Sequence, residues 1–398
     1  MTLTKDERVL LDGAVKQDDS PFTTFVVSPW SKYVAWWASR RGLSPNQVTL
    51  ASVAVAVVAA ACCATGARWG YVAGAVLLQA SFGLDCADGQ LARLTGRFSE
   101  FGGWLDALAD RLKEYAVYAG LAVGAARAGD DVWPLAVAAL VLQTLRHAVD
   151  FSWAVTPAST SAVEQWVARR AAGQRRRWHW ARKVVSLPIG ERWALISVLT
   201  ALTRPRVVFV VLLAAGVLAG AYMLLARVRR SLRGMPGTRA DADAAALVLQ
   251  RMWEAGPVVR ALSSGRHAPG PRWGWLVPPL LRALEYAVVA AAAALSGAGV
   301  GAVCYAYLLA VIWHHYDSAY RLRRGMAGAS VFPMARFAGF EVRTAALALL
   351  AAAGATAFTV VAGTLAVVLA GLAVVQGWIM WRHSQLVSAL PEGDGGRG

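Results

Sequence analysis

Four aspartates, Asp85, Asp88, Asp106 and Asp110, fall within one short stretch, DCADGQLARLTGRFSEFGGWLDALAD, residues 85–110. Asp85 and Asp88 are spaced i, i+3, and Asp106 and Asp110 are spaced i, i+4. On helices each pair therefore shares one face, and an antiparallel turn through 94–101 brings the two faces together. Four carboxylates that close cannot all stay ionised at neutral pH without a cation. An all-oxygen set suits Mg²⁺, Mn²⁺ or Ca²⁺ rather than zinc, because neither His nor Cys at ligand spacing lies nearby. The competing reading pairs the aspartates with Arg93, Arg97 and Arg111 as structural salt bridges. The glycines weigh against it. Gly89 directly follows Asp88 and permits close backbone approach to a ligand, and Gly102 and Gly103 thin the next segment ahead of Asp106.

The elements that hold these carboxylates read as membrane helices. The chain has 398 residues, of which 57% are hydrophobic, and its mean hydropathy is +0.45. Several apolar segments reach the roughly 20 residues that a helix needs to span a bilayer core. The expected class is all-α, a polytopic integral membrane protein. Helices are predicted over about 46–66, 70–93, 102–125 and 132–152, then a short one near 190–203 and a longer one near 205–227, with Pro205 marking the break. The aspartates thus lie at the ends of two membrane helices, where ionisable groups are a functional hypothesis by default.

A net charge of +16 in a soluble chain would suggest nucleic acid. Here the arginines cluster between apolar helices, so loops facing anionic lipid are the better reading, and no nucleic-acid partner is expected. Arg169, Arg170, Arg175, Arg176, Arg177, Arg182 and Lys183 lie in 166–183, and Arg227, Arg229, Arg230 and Arg233 follow the sixth helix. The opposite connections carry only Arg68, Arg127, Arg204 and Arg206. The positive-inside tendency places the N-terminus, the aspartate stretch and the basic loop in the cytoplasm. The expected location is the plasma membrane, with the site facing the cytoplasm.

Residues 1–45 form an N-terminal segment. Its opening residues are polar and of mixed charge, without the apolar core of a signal peptide. Within 22–41, Trp30, Tyr33, Trp36 and Trp37 mix with Lys32, Arg40 and Arg41, which suits an amphipathic helix in the headgroup layer; an ordinary packed helix is the alternative. After the membrane module at 46–233, residues 234–272 read as a cytoplasmic linker, helical in part of 245–270. A C-terminal module at 273–398 has four further candidate helices, near 273–296, 298–316, 343–362 and 364–382. Cys62, Cys63, Cys86 and Cys304 show no paired spacing and read as packing residues.

The segment Asp85-x2-Asp88-Gly89-x2-Ala92-Arg93-x8-Gly102-x3-Asp106-x3-Asp110 resembles, without departure, the signature of the CDP-alcohol phosphotransferase family. The six-helix layout and SPNQVT (44–49) at the first membrane helix are similar to that family as well, over about residues 20–232. The resemblance implies transfer of a phosphoalcohol, phosphatidyl or phosphopolyol, from a CDP-alcohol donor to an acceptor hydroxyl, with release of CMP. That chemistry belongs to phospholipid or polyol-phosphate biosynthesis, among membrane lipids. It implies metal ligation by Asp85, Asp88, Asp106 and Asp110, with two Mg²⁺ (or Mn²⁺) ions per site, and Asp110 as general base. It also implies donor contacts at Asn46, Thr49, Gly89, Arg93 and Ser99. The chemistry agrees: two metals would clamp the attacking and leaving oxygens, and a carboxylate near the alcohol can take its proton.

Other residues carry weaker signals. Lys113 and Arg146 could hold a phosphate on a polyol-phosphate acceptor, although interfacial snorkelling is the simpler account. His314, His315 and Asp317 could touch a metal, yet neighbours on a helix point apart. Arg282 and Glu285, at i, i+3, most simply neutralise each other. The C-terminal module vaguely resembles an uncharacterised actinobacterial membrane domain, with scaffolding, homodimer contact or acceptor access as its roles. Two rival functions are an intramembrane prenyltransferase that binds diphosphate through aspartates and Mg²⁺, and a non-enzymatic transporter or scaffold. The prenyltransferase fits less well, since its aspartate motifs lack a DGxxAR segment.

Overall fold

The computed structural model describes residues 4–16, 19–154, 176–232, 273–323 and 339–389. Among the described residues the chain is helical throughout: α1 (Lys5–Ala14), α2 (Ser28–Arg40), α3 (Pro45–Ala64), α4 (Arg68–Thr95), α5 (Glu100–Arg127), α6 (Trp133–Ala154), α7 (Arg176–Val185), α8 (Ile189–Leu202), α9 (Pro205–Leu232), α10 (Val277–Ser296), α11 (Gly301–Arg323), α12 (Phe340–Ala351) and α13 (Ala355–Ala389). Six of them are long and apolar enough to cross a membrane: α3, α4, α6, α9, α10 and α13. Outward-facing side chains such as Leu218 and Val367 are more than two-thirds exposed, as expected of helices that meet lipid rather than water. The arginines of 166–175 and the segment 245–270 lie outside the described residues.

Local sequence fixes the elements that carry the aspartates. At the start of α3, Ser44 and Gln47 form a reciprocal capping box, with Pro45 in the first turn, so the helix begins where SPNQ demands. At the end of α4, Gly96 adopts φ +67°, the left-handed conformation that closes a helix and that glycine reaches without a Cβ penalty. Three residues on, Ser99 caps α5 by accepting the Gly102 N–H at 2.9 Å. The α4–α5 turn is therefore short, and it brings the Asp85/Asp88 face over the Asp106/Asp110 face.

Helix α3 packs against both α4 and α5. A Cβ built on Gly120 of α5 would lie 2.3 Å from the Ala60 carbonyl oxygen of α3, so close approach of these two helices requires glycine there. Helix α2 lies on α4: Trp30 rests on Gly83, and Ser31 donates to Gln90 at 3.0 Å. Trp30, Tyr33 and Trp37 nevertheless stay about half exposed, with Arg40 over Trp36 and Arg41 over Trp37.

The C-terminal half differs from the expected helix pattern. The spans 343–362 and 364–382 are not two membrane helices; the chain forms the short α12 and then the single long α13. Twelve residues give a helix of about 18 Å, well under a 30 Å hydrocarbon core. The break falls at Gly354, φ +94°, whereas Gly363 sits inside α13 against Val303. This half packs on the first through α10 and α11 against α6, and α11 and α13 against α5.

Candidate metal centre and its surroundings

Asp85, Asp88 and Asp106 each offer a carboxylate oxygen such that all three lie within 4.8 Å of one another, and no other such group occurs among the described residues. The set is all oxygen and contains the buried Asp88, which suits a hard divalent cation such as Mg²⁺. The oxygens are already held in place. Thr49 on α3 donates to Asp88 Oδ2 at 2.5 Å. Lys113, one turn beyond Asp110 on α5, pairs with Asp85 Oδ1 and sits 3.3 Å from Asp110 Oδ1. Asp110 Oδ1 is buried and makes no hydrogen bond. Asp110 thus stands beside the trio rather than within it, joined to Asp85 through the ammonium.

Lys113 does not snorkel. Its side chain is 0% exposed, its Nζ donates to Ser52 at 3.0 Å, and the Trp193 ring lies 5.4 Å from it. Snorkelling needs a path to the headgroups, and the face that α5 turns toward α3 and α4 offers none. Ser52 and Ser81, whose hydroxyl donates to the Ser52 carbonyl at 2.9 Å, complete a polar seam that the sequence reading missed. The signal was available: Thr49 and Ser52 are small polar residues at i, i+3 in a helix that is otherwise apolar beyond its first turn.

The expected donor residues gather at the same end of the bundle. Gly102 lets the starts of α3 and α5 meet, since a Cβ there would come 2.6 Å from Asn46 Oδ1 and 2.9 Å from Ser99 Oγ. Gly89 has open space beside it except for the Arg93 guanidinium, 3.4 Å from a built Cβ, and Arg93 Nε donates to the Ala14 carbonyl at 2.6 Å. The two expected acceptor-phosphate residues are not brought together. Lys113 is committed to Asp85 and Asp110, whereas Arg146 donates to Gln143 Oε1 at 2.9 Å and to the Ser186 carbonyl at 2.7 Å. The Arg146 Nε is buried without a hydrogen bond.

Behind the cluster runs a second buried network. Arg192 donates to both oxygens of Glu114, at 2.7 and 2.8 Å, and Tyr118 donates to Glu114 at 2.5 Å. The C-terminal half reaches α5 on both sides of the carboxylates: Trp104 donates to Asp317 at 2.7 Å, and the Tyr115 and Tyr316 hydroxyls lie 3.0 Å apart. Tyr316 also meets His147 at 2.5 Å and carries Arg111 over its ring. The His314–His315–x–Asp317 run forms no metal site. Asp317 is taken by Trp104 and Arg321, while His315 turns to Tyr286 at 2.6 Å. The Arg282–Glu285 pairing is present at 2.7 Å, with Arg343 at 3.2 Å from the other oxygen.

Residues 43–221 match the family model described as CDP-alcohol phosphatidyltransferase, and residues 212–395 match one described as a family of unknown function, DUF5941. The chain is 39% identical over 130 residues to a phosphatidylinositol phosphate synthase of Mycolicibacterium smegmatis, covering 32% of this chain and 57% of that protein. It is 37% identical over 83 residues to an archaetidylinositol phosphate synthase of Pyrococcus horikoshii, covering 21% and 43%. A phosphatidylinositol phosphate synthase of Streptomyces avermitilis is 33% identical over 110 residues, covering 28% and 43%. The chain spans about half the length of these curated relatives.

Proposed function

We propose that the chain is a multi-pass membrane enzyme that transfers a phosphoalcohol group from a CDP-alcohol to an acceptor hydroxyl and releases CMP. The observation that carries this reading is the Asp85–Asp88–Asp106 trio with Asp110 alongside, on a segment that matches the CDP-alcohol phosphatidyltransferase model. The relatives named as phosphatidylinositol phosphate and archaetidylinositol phosphate synthases favour a CDP-linked lipid as donor and a phosphorylated inositol as acceptor. The arginine distribution favours a site that faces the cytoplasm.

Asp85, Asp88 and Asp106 would hold a divalent ion, which would supply charge neutralisation for the donor diphosphate and its leaving oxygen. Thr49 fixes the Asp88 carboxylate, and the capping box of α3 fixes Thr49 and Asn46 in turn. Arg93 borders the open space at Gly89, where a nucleotide diphosphate can approach backbone, and Asn46 and Ser99 close over Gly102 nearby. Asp110, with an oxygen free of hydrogen bonds, takes the proton of the attacking hydroxyl. Arg146 is the remaining cation for an acceptor phosphate, because Lys113 is engaged. Helix-end placement lets a soluble headgroup and a lipid tail share one site.

The test is direct. The purified full chain is incubated in Mg²⁺ with a panel of CDP-alcohols and acceptors that includes CDP-diacylglycerol and inositol phosphate, and CMP is followed by mass spectrometry. Acceptor-dependent CMP is expected. Turnover of prenyl diphosphates in place of CDP-alcohols would overturn the reading.

A further inference from the structure

The feature least explained by the proposed reaction is Lys113, a fully buried ammonium at the centre of the carboxylates. A buried charge must be paired to be tolerated, and this one is paired with two of the four aspartates, Asp85 and Asp110. In a two-ion site the metals sit about 3.5–4 Å apart and share carboxylates. Here the trio within 4.8 Å accounts for one ion. A second would have to draw on Asp110 and Asp85, the two on which Lys113 is anchored. Lys113 cannot make room by swinging into solvent: Ser52 Oγ at 3.0 Å and the Trp193 ring at 5.4 Å close its other sides.

We propose that Lys113 is a resident cation of the cluster, standing where a second divalent ion would otherwise bind, so that the site takes a single ion at Asp85, Asp88 and Asp106. The two-ion expectation from family resemblance is thereby replaced, on the strength of a residue outside the motif. The ammonium offsets one of the two negative charges of Asp85 and Asp110, and it holds the Asp110 carboxylate beside the trio whether or not the ion is bound. The inference rests on the reading of the trio as a divalent site.

Mn²⁺ binding to the full-length, chelator-stripped protein in neutral detergent tests this without any turnover. Bound metal is counted by mass spectrometry, and low-temperature EPR separates isolated Mn²⁺ from a spin-coupled pair. The wild type is expected to bind one ion per chain with an uncoupled spectrum, and Lys113→Arg the same. Lys113→Met, which keeps length and removes charge, is expected to bind two with a coupled spectrum. Two coupled ions in the wild type would overturn the inference and leave the metal-site reading intact, and this result does not depend on any variant folding. A folded Lys113→Met protein that still holds one ion would also overturn it. No bound Mn²⁺ in the wild type would remove the metal-site reading together with the inference.

Discussion

Buried charges among the described residues of this bundle are arranged on two opposite plans. Between α4 and α5 stand four carboxylates with one ammonium, which pairs with Asp85 and Asp110, and Asp110 keeps a buried oxygen with no hydrogen bond. In the C-terminal half a single carboxylate, Glu285, is met by Arg282, Arg343 and, at 3.8 Å, His315. Glu114, held by Arg192 and Tyr118, follows the second plan. A buried ion pair whose members satisfy each other holds helices in register and asks for nothing more. A cluster with anionic excess at membrane depth needs a cation from outside. The comparison teaches that an excess of carboxylates over cations, rather than the presence of buried charge, marks the candidate site.

That distinction can be broken by experiment. The largest effect is expected from removing the cation: chelation should take acceptor-dependent CMP release to background, and Mg²⁺ should restore it. Next comes Asp110→Asn, which keeps shape but accepts no proton. Turnover should fall by roughly 10²–10⁴-fold, the usual worth of a positioned general base, with CDP-alcohol affinity in Mg²⁺ changing much less. Equal loss of affinity and turnover would make Asp110 a ligand only.

On the balanced side the expected loss is in stability. Arg192→Met leaves Glu114 buried without its cation, and breaking such a pair costs about 3–5 kcal/mol, read as a lowered thermal midpoint in detergent. An unchanged midpoint would contradict the structural role. The smallest effect belongs to the surface pair at the opposite end. The hydrogen bond from Arg206 holds the Asp130 carboxyl below its ordinary value of 3.8. A depressed folded-state pKa gives stability that is present above the unfolded value and lost as pH falls through the folded one. The gap in midpoint between wild type and Asp130→Asn should therefore be small near neutrality and should close below about pH 4. A gap that widened on acidification would contradict the assignment.

How much of this was legible in the sequence follows from which signals are local. The aspartate spacing and the turn through 94–101 act within a turn or two, and they produced the expected meeting of the two faces; the SPNQ cap and Gly96 are equally local signals that the sequence analysis did not use. Lys113 was misread because a lysine near a helix end snorkels or buries according to what the neighbouring helices present, and Ser52 and Trp193 are far away in sequence. Its register was nonetheless visible, at i, i+3 from Asp110 and on the Asp106 face. The boundary at 354 was missed for a different reason. In a run as apolar as 343–382 periodicity is silent, and only backbone conformation shows that Gly354, not Gly363, ends a helix. The docking of α11 on α5 through Trp104 and Tyr115 rests on partners two hundred residues away, which a single sequence does not reveal.

The most direct measurement sets one cluster against the other. Asp88→Asn and Glu285→Gln are compared for CMP release from a CDP-alcohol in Mg²⁺, each rate normalised to folded protein. The account predicts background rates for Asp88→Asn and near-normal rates for the folded fraction of Glu285→Gln. Retained turnover in Asp88→Asn, or its loss in well-folded Glu285→Gln, would contradict it.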